Sequence, residues 1–301
     1  NEQGEAMTAR ILDGKALAAD MRAEMKLEVA RLKQEHDLVP GLAVVLVGDD
    51  PASVSYVKGK QKACGELGVY SRELKFDADL SEEELLRVVS QLNGDDEIHG
   101  ILVQLSLPEG LDEDRVLNAI NPDKDVDGLH PVNLGRLMRG EEGFLPCTPH
   151  GVQKILVRSG IEVAGRHVVV VGRSTLVGRP VANILTQKSA GANATVTICH
   201  TGTRDLASFT RQADILIVAA GRPRMITAEM VKEGATVIDV GVEQVADPTR
   251  KRGYRLVGDV DFDGVREKAG AITPVPGGVG PMTITLLLFN TILAAKRAQG
   301  L

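Results

Sequence analysis

Three side chains that could take part in catalysis follow one another at helical spacing: Ser53, Tyr56 and Lys60. The apolar run Leu42–Val47 predicts a buried strand before them, and Asp50-Pro51 predicts a helix start. Positions i, i+3 and i+7 share one helix face, and a helix that follows a strand begins at the edge where α/β proteins bind ligands. A lysine there can move protons if burial lowers its pKa. The alternative is a solvated lysine beside a half-buried tyrosine.

A second candidate site is the loop Gly172–Pro180, which lies where a dinucleotide-binding turn belongs, after an apolar run and before a helix. It is not G-x-G-x-x-G, because Ser174 and Val177 occupy the second and third glycine positions. Side-chain hydroxyls and cations are therefore expected to share the contact with a pyrophosphate. The expected cofactor residues of this loop are Gly172, Arg173, Ser174, Val177 and Gly178. An ordinary turn that binds no ligand is the alternative.

The end of the next predicted strand favours NADP over NAD. An NAD enzyme usually places Asp or Glu there for the ribose 2′-hydroxyl, and the segment Cys199–Arg204 has neither. Arg173 and Arg204 are available for a 2′-phosphate. The other expected cofactor residues follow this strand and the two after it: His200, Thr201, Ala220, Gly221, Gly241 and Val242. For His200, contact with the ribose and a structural role are equally supported.

The segment Thr273–Thr283 carries three glycines and three prolines in eleven residues. Such a segment fixes an unusual backbone path whose amides can approach a ligand closely, although a plain linker is the commoner use of this composition. Pro281 suits a first helical turn. The apolar stretch Ile284–Arg297 predicts a helix that packs back on the first domain.

Composition limits the possible function classes. The chain has 301 residues, 43% of them hydrophobic, enough for two domains. A net charge of −6 and no Trp argue against nucleic acid or an anionic membrane as partner. The three cysteines and six histidines show no metal-ligand spacing, so no metal is expected. The longest apolar run, 284–295, is interrupted by polar residues, and a cytoplasmic protein is expected. Residues 1–6 are interpreted as a cloning remnant.

The order of elements predicts an α/β fold in two domains. A βαβα succession fills the first 130 or so residues, including a capped helix at Ser81–Leu92 and a strand at Ile98–Leu105. Five apolar runs then alternate with helical stretches, which predicts a Rossmann-like, mainly parallel sheet. The predicted strands are 167–171, 194–200, 214–219, 235–240 and 255–260. The expected domains are 7–145 with 280–301, which would bind substrate, and 146–279, which would bind the cofactor.

The ordered motifs resemble those of bifunctional methylenetetrahydrofolate dehydrogenase/methenyltetrahydrofolate cyclohydrolases, the FolD family. The resemblance runs from about Ile11 to Lys296. Two departures are visible: Ser106 replaces the usual Pro, and Gly202 lies where a basic residue is common in the family, which leaves the phosphate contact to other groups. The motifs that carry the resemblance are Ser53 with Tyr56–Lys60, Gln104–Pro108, Asp125–Gly128, Pro146–Pro149, Gly172–Ser174 and Thr273–Thr283.

The resemblance implies a homodimer in which folate binds the first domain and NADP the second, with a cleft between them. It makes Lys60 the acid/base, places Gln104 on the Lys60 amine, and stacks Tyr56 on the substrate. Asp127 is expected to hold the pterin ring. The implied substrate-binding residues are Tyr56, Lys60, Val103, Gln104, Leu105, Asp127, Pro276, Gly277, Gly278 and Val279.

Three other interpretations fit parts of the sequence. A short-chain dehydrogenase also has Tyr-x-x-x-Lys, but there the pair follows the glycine-rich loop, whereas here it precedes the loop by more than a hundred residues. A two-domain dehydrogenase of a small hydroxy acid, similar to shikimate dehydrogenase, shares the architecture; Asp127 and the 273–283 segment argue against it. A non-catalytic nucleotide-binding protein would have no need of the full set of Tyr56, Lys60, Gln104 and Asp127.

Overall fold

The computed structural model describes residues 8–301, so the interpretation of residues 1–6 as a remnant falls outside the described part. Strands and helices alternate along the chain. In order they are β1 (Arg10–Ile11), α1 (Gly14–His36), β2 (Gly41–Val47), α2 (Pro51–Leu67), β3 (Tyr70–Phe76), α3 (Glu82–Asn93), β4 (Gly100–Val103), α4 (Glu113–Ala119), α5 (Pro131–Arg139), α6 (Cys147–Arg158), β5 (His167–Val171), α7 (Gly178–Thr186), β6 (Thr195–Cys199), α8 (Leu206–Thr210), β7 (Ile215–Val218), β8 (Thr236–Asp239), β9 (Glu243–Ala246), β10 (Tyr254–Val257), α9 (Phe262–Arg266), β11 (Ala271–Ile272) and α10 (Val279–Ala298).

The chain divides into two compact units. One comprises Ala19–Cys147 and Ile284–Leu301 and is named here the three-stranded unit after its sheet; the other comprises residues up to Ala18 and Thr148–Thr283 and is named the six-stranded unit. The three boundaries between the units therefore fall within α1, α6 and α10. The expected domains placed the residues before Ala19 in the first domain. In the structure they group with the six-stranded unit, because β1 pairs with β11.

In the three-stranded unit, β2 is the central strand and pairs in parallel with β3 and β4. Every residue of β2 is buried, as its uninterrupted apolar run requires. Helix α3 packs Leu85, Val89 and Leu92 into the same core. The predicted capping box is present: Ser81 Oγ accepts from the Glu84 amide, and the Glu84 carboxylate accepts from the Ser81 amide.

The six-stranded unit contains a parallel sheet in the order β1-β11-β8-β7-β5-β6. Four of the five predicted strands are in this sheet, and the α/β fold with its mainly parallel sheet is confirmed. The prediction for 255–260 was wrong: β10 pairs antiparallel with β9 in a separate hairpin. Its alternating, partly exposed residues are typical of a hairpin and not of a buried parallel strand. The short strands β1 and β11, and not residues 255–260, complete the sheet beside β8.

Helix α10 is long and apolar enough to cross a membrane by length and composition, but 61% of its most apolar window is buried within the protein. From Ile284 onward it belongs to the three-stranded unit, where Lys296 pairs with Glu28 of α1 at 2.8 Å. The predicted packing of this helix on the first domain is confirmed. A core helix passes the same composition test as a membrane span.

Candidate active site

The start of α2 is fixed as the sequence indicates. The Asp50 carboxylate accepts from the Ser53 amide at 2.7 Å, and Pro51 opens the first turn. The three predicted residues differ in exposure: Ser53 is buried, Lys60 is half-buried and Tyr56 is 54% exposed. An aromatic ring so exposed on a helix of the three-stranded unit has surface available for a flat ligand.

The Lys60 ammonium donates to Gln104 Oε1 at 2.7 Å. Gln104 follows β4, and its backbone amide continues the sheet by donating to the Val45 carbonyl. Its Nε2 donates to the Leu105 carbonyl at 2.7 Å. That carbonyl decides the orientation of the amide, because a flipped amide would place two acceptors face to face. The carbonyl end of Gln104 therefore faces the amine, which favours its charged form.

One acidic side chain, Asp127, lies near Lys60 in the same unit. Burial lowers the pKa of Lys60, and the nearby charge of Asp127 partly opposes that shift. Burial raises the pKa of Asp127, and Lys60 acts against this shift. Asp127 lies deep among protein atoms, although the residue keeps partial access to solvent. Val103 ends β4, so it and Leu105 flank Gln104.

Cys147 belongs to a sequence motif but was given no role by the sequence pattern. It is fully buried, and burial followed by the charge of Asp127 raises the pKa of its thiol well above the usual range. Its Sγ donates to the Val126 carbonyl at 3.3 Å, and its amide donates to the Asp127 carbonyl at 3.3 Å. The only signal in the sequence was a cysteine between two prolines, Pro146 and Pro149. Such a pattern indicates a fixed turn but does not indicate a chemical role for the cysteine.

In the six-stranded unit, the loop after β5 needs glycine at two positions. Gly172 has φ +128°, and a Cβ there would lie 2.2 Å from the Ala219 carbonyl oxygen; a Cβ on Gly178 would lie 2.2 Å from the Gly172 carbonyl oxygen. Ser174 Oγ accepts from the amides of Val177 and Gly178 at 3.1 and 3.4 Å. Ser174 thus replaces the missing glycine with a side chain that closes the turn.

The two arginines expected to bind phosphate are exposed. Within residues 8–301, the guanidiniums of Arg173 and Arg204 have no ion pair or hydrogen bond, so both are available to an anion. The first acidic residue after β6 in the chain is Asp205, and its carboxylate already caps α8 by accepting from the Ser208 amide at 3.3 Å. Thr201 is exposed as well. These observations strengthen the argument for a 2′-phosphate.

His200 has a structural role. Its Nδ1 accepts from the Gly202 amide at 3.0 Å, and its own amide donates to Thr203 Oγ1 at 2.8 Å. The first bond requires Nδ1 to be unprotonated, which leaves the ring with Nε2 as its donor. The ring therefore stabilises the turn after β6 while keeping one nitrogen for a ligand.

Two buried aspartates that sequence reasoning missed hold the loops after β7 and β8. Asp259 accepts from the amides of Ala220, Gly221 and Arg222 at 2.7 to 3.0 Å. Asp239 accepts from those of Gly241, Asp259 and Val260 at 2.9 to 3.0 Å, and burial raises its pKa to about 7. The amides of Ala220, Gly221 and Gly241 are thus occupied within the protein. A ligand at these loops would meet carbonyl oxygens, Cα surfaces and the exposed Val242 side chain.

The remaining predicted substrate residues, 276–279, follow β11 and lie apart in the chain from Lys60 and Asp127. Gly277 has φ +106°, and its carbonyl accepts from the Lys15 amide at 3.0 Å. A Cβ on Gly278 would lie 2.6 Å from the Pro274 carbonyl oxygen. Val279 opens α10, and Pro276 follows Val275 through a cis peptide bond, as Ser106 follows Leu105.

Comparison with known proteins matches both halves of the chain to one family. A family model described as tetrahydrofolate dehydrogenase/cyclohydrolase, catalytic domain, matches residues 12–127. The model of the NAD(P)-binding domain of the same family matches residues 146–299. The chain belongs to this family.

Individual members of the family align with this chain over nearly their whole length. "Bifunctional protein FolD" of Dehalococcoides mccartyi (strain CBDB1) is 60% identical over 98% of this chain and 99% of its own. The solved FolD of Campylobacter jejuni is 48% identical with a TM-score of 0.90, over 96% of this chain and 99% of its own. That of Trypanosoma brucei, solved with NADP and an inhibitor, is 42% identical with a TM-score of 0.91, over 97% and 99%.

Family membership confirms the predicted FolD family, its bifunctional enzyme class and a nucleotide-binding second domain. The alternative of a shikimate-dehydrogenase-like enzyme is not favoured. The structure brings Tyr56, Lys60, Gln104 and Asp127 into one unit, while the expected cofactor residues and residues 276–279 lie in the other. The roles of individual residues are proposals.

Proposed function

We propose that this FolD family member oxidises 5,10-methylenetetrahydrofolate with NADP and hydrolyses the methenyl product to 10-formyltetrahydrofolate, with Lys60 as the acid/base of the second reaction. The observation that carries this role is the 2.7 Å bond from Lys60 Nζ to Gln104 Oε1, beside the charge of Asp127. It places a partly buried amine with a lowered pKa on the unit that holds the other predicted catalytic residues.

Opposing effects make Lys60 suitable for proton transfer in both directions. Burial favours the neutral amine, which can accept a proton from the water that attacks the methenyl carbon. The Gln104 carbonyl and the Asp127 carboxylate favour the charged amine, which can return a proton to the ring nitrogen as the carbon–nitrogen bond breaks. Burial is the largest influence on the pKa of Lys60, so that pKa lies below the ordinary lysine value.

We assign recognition of the pterin ring to Asp127. A carboxylate can accept two N–H bonds from a 2-aminopyrimidinone, and charge-assisted bonds of this kind are about twice as strong as neutral ones. The exposed face of Tyr56 would stack on the substrate and attract the cationic methenyl product, an effect on the order of 1 kcal/mol. Val103, Leu105 and residues 276–279 would supply apolar and backbone contacts around it.

The loops of the six-stranded unit fit an NADP cofactor. Gly172 and Gly178 allow the tight backbone path of the loop after β5, and the exposed guanidiniums of Arg173 and Arg204 would supply positive charge for the 2′-phosphate. When bound, NADP accepts the hydride of the one-carbon bridge. In that step Lys60 need not give up or gain a proton, so the contribution of the chain is to align the bridge carbon with the nicotinamide.

A spectroscopic time course tests the proposed function. The protein is mixed with methylenetetrahydrofolate and NADP, and absorbance is followed at the bands of NADPH and of methenyltetrahydrofolate. We expect NADPH to rise while the methenyl band appears and then decays. NADPH formation with a methenyl band that decays no faster than without enzyme would contradict the hydrolase half, and no NADPH would contradict the dehydrogenase half.

We also propose that the chain works as a cytoplasmic homodimer, with folate bound by 7–145 and 280–301 and NADP by 146–279. Family membership supports the dimer and the compartment. Light scattering during gel filtration tests the dimer: about twice the monomer mass of 32.1 kDa supports it, and the monomer mass at micromolar concentration contradicts it.

A further inference from the structure

We propose that Asn290 is a positioning residue that holds the Asp127 loop and thereby sets the affinity for the pterin end of the folate substrate. The proposal rests on the proposed role of Asp127. Asn290 belongs to α10, far from that loop in sequence, and it is 2% exposed. A buried amide on a mostly apolar helix is costly unless it is hydrogen-bonded.

The Asn290 amide joins two backbone segments. Its Nδ2 donates to the Val126 carbonyl at 2.8 Å and to the Leu145 carbonyl at 3.1 Å, and it lies 3.8 Å from Cys147 Sγ. Val126 directly precedes Asp127. A single side chain therefore satisfies one carbonyl beside the proposed pterin ligand and one carbonyl on the neighbouring segment.

The two segments are also packed tightly against each other. A Cβ on Gly128 would lie 2.5 Å from the Leu145 carbonyl carbon, so no side chain fits between them. The Cys147 amide donates to the Asp127 carbonyl at 3.3 Å. Asn290 thus joins two backbone segments that pack directly on each other. No flexible side chain lies between them to absorb a small shift of either segment.

The other side of the loop is held independently. The buried Asp125 carboxylate accepts from the amides of Leu129 and His130 and from Asn133 Nδ2, at 3.3, 2.9 and 2.8 Å. With that side fixed, loss of the Asn290 donor removes a hydrogen bond from each of two buried carbonyls. The segment at Val126 would then shift toward water, and the Asp127 carboxylate would shift with it.

The variant Asn290→Leu removes the donor at nearly constant size. We expect the KM for methylenetetrahydrofolate and for methenyltetrahydrofolate to rise about tenfold each, the cost of losing one well-placed hydrogen bond, with NADP affinity unchanged. If Asn290→Leu does not fold, Asn290→Ser is measured instead, with about a threefold rise expected from a partial loss of the same bond. Unchanged KM values in the folded variant would overturn the proposal.

Thr291→Val is the matched control. Thr291 is the next residue of the same helix, equally buried, and its hydroxyl donates to the Leu287 carbonyl at 2.8 Å within the helix. It should lower the thermal unfolding temperature without changing either KM. An equal rise of KM in Thr291→Val would show that general loosening of α10 causes the effect and would overturn the proposal.

A double-mutant cycle with Asp127→Asn separates this inference from the proposed function. Binding of tetrahydrofolate is measured by calorimetry in all four proteins. We expect Asn290→Leu to weaken binding about tenfold when Asp127 is intact and less than about threefold in the Asp127→Asn background. Tenfold losses in both backgrounds would overturn the positioning role. Unchanged binding in the Asp127→Asn protein alone would instead contradict the proposed role of Asp127.

Discussion

The candidate active site and the loops after β7 and β8 use aspartate carboxylates in opposite ways. In the three-stranded unit, Asp127 is deep but reachable, and it lies beside Lys60, whose pKa burial lowers. In the six-stranded unit, Asp239 and Asp259 are buried, and each accepts three backbone amides. The first arrangement leaves side chains free for chemistry, and the second uses them to fix the backbone of loops.

This difference predicts what a substitution will damage. Changes at Tyr56, Lys60 or Asp127 should alter rates and substrate affinity while leaving the fold intact, because these residues are partly accessible to solvent. Changes at the buried aspartates or the glycines beside them should damage the fold of the loops themselves. Exposed arginines of the same unit should affect one cofactor and not the other.

The largest effect is expected from Gly258→Ala. A Cβ there would lie 1.9 Å from Asp239 Oδ2, so the buried carboxylate must move and release its amides. We expect a loss of about 2–4 kcal/mol in the free energy of unfolding and loss of NADP binding. Denaturant titration and calorimetry with NADP measure both.

The control for that variant is Gly65→Ala in α2, where no atom of the described neighbours lies within 4 Å of the added Cβ. It should be neutral or stabilise by up to about 1 kcal/mol, as alanine does inside a helix. A Gly258→Ala protein with the stability and NADP affinity of the Gly65→Ala protein would refute the assigned role of the aspartates.

The next effect concerns substrate affinity. Asp127→Ala removes both proposed acceptors for the pterin N–H groups, and we expect the folate KM to rise about a hundredfold in both activities together. NADP affinity should stay unchanged, because Asp127 belongs to the other unit. Weaker NADP binding with folate binding intact would show that this loop serves the other ligand.

A smaller effect separates the two nicotinamide cofactors. Arg173→Ala removes one exposed guanidinium, and a charge-assisted pair is worth roughly 1.5–3 kcal/mol. NADP should therefore bind about ten- to a hundredfold more weakly and NAD almost as before. Arg166→Ala is the control, since Arg166 pairs with Glu162 at the opposite ends of the strands. Equal losses for NADP and NAD would remove the 2′-phosphate assignment.

The smallest effect is a shift in pH dependence. Asp127 raises the pKa of Lys60 against the lowering by burial, so Asp127→Asn should lower that pKa further. At saturating folate, the cyclohydrolase rate that depends on the neutral amine should reach its plateau at lower pH than in the unaltered protein. A profile that moves to higher pH, or does not move, would contradict the coupling of the two groups.

The sequence was sufficient for the elements whose patterns are local. The apolar run of β2, the Asp50-Pro51 start and the capping box of α3 each depend on a few adjacent residues, and each is present. The prediction failed at 255–260, because a short apolar run does not reveal whether its partner is parallel or antiparallel.

The site shows the same limit. Side chains at the ends of strands, such as Gln104, could be predicted to lie close together because parallel strands end at one edge of the sheet. Asp127 was assigned to the same site only from the family resemblance. The partners of Asp259 and Asn290 could not be predicted, since those contacts join segments distant in sequence. Gly258 packs against the Asp239 carboxylate and Gly241 against that of Asp259, and no local pattern in the sequence indicates either contact.

The central claim is that Lys60 moves the protons of hydrolysis and that hydride transfer does not need it as an acid or base, and Lys60→Met tests this claim most directly. Both rates are measured on the same preparation, with NADP affinity as the check on folding. We predict that methenyltetrahydrofolate hydrolysis falls by roughly 10²–10⁴-fold, that dehydrogenase activity falls far less, and that methenyl product accumulates. Hydrolysis near the rate of the unaltered protein would show that Lys60 is not the acid/base.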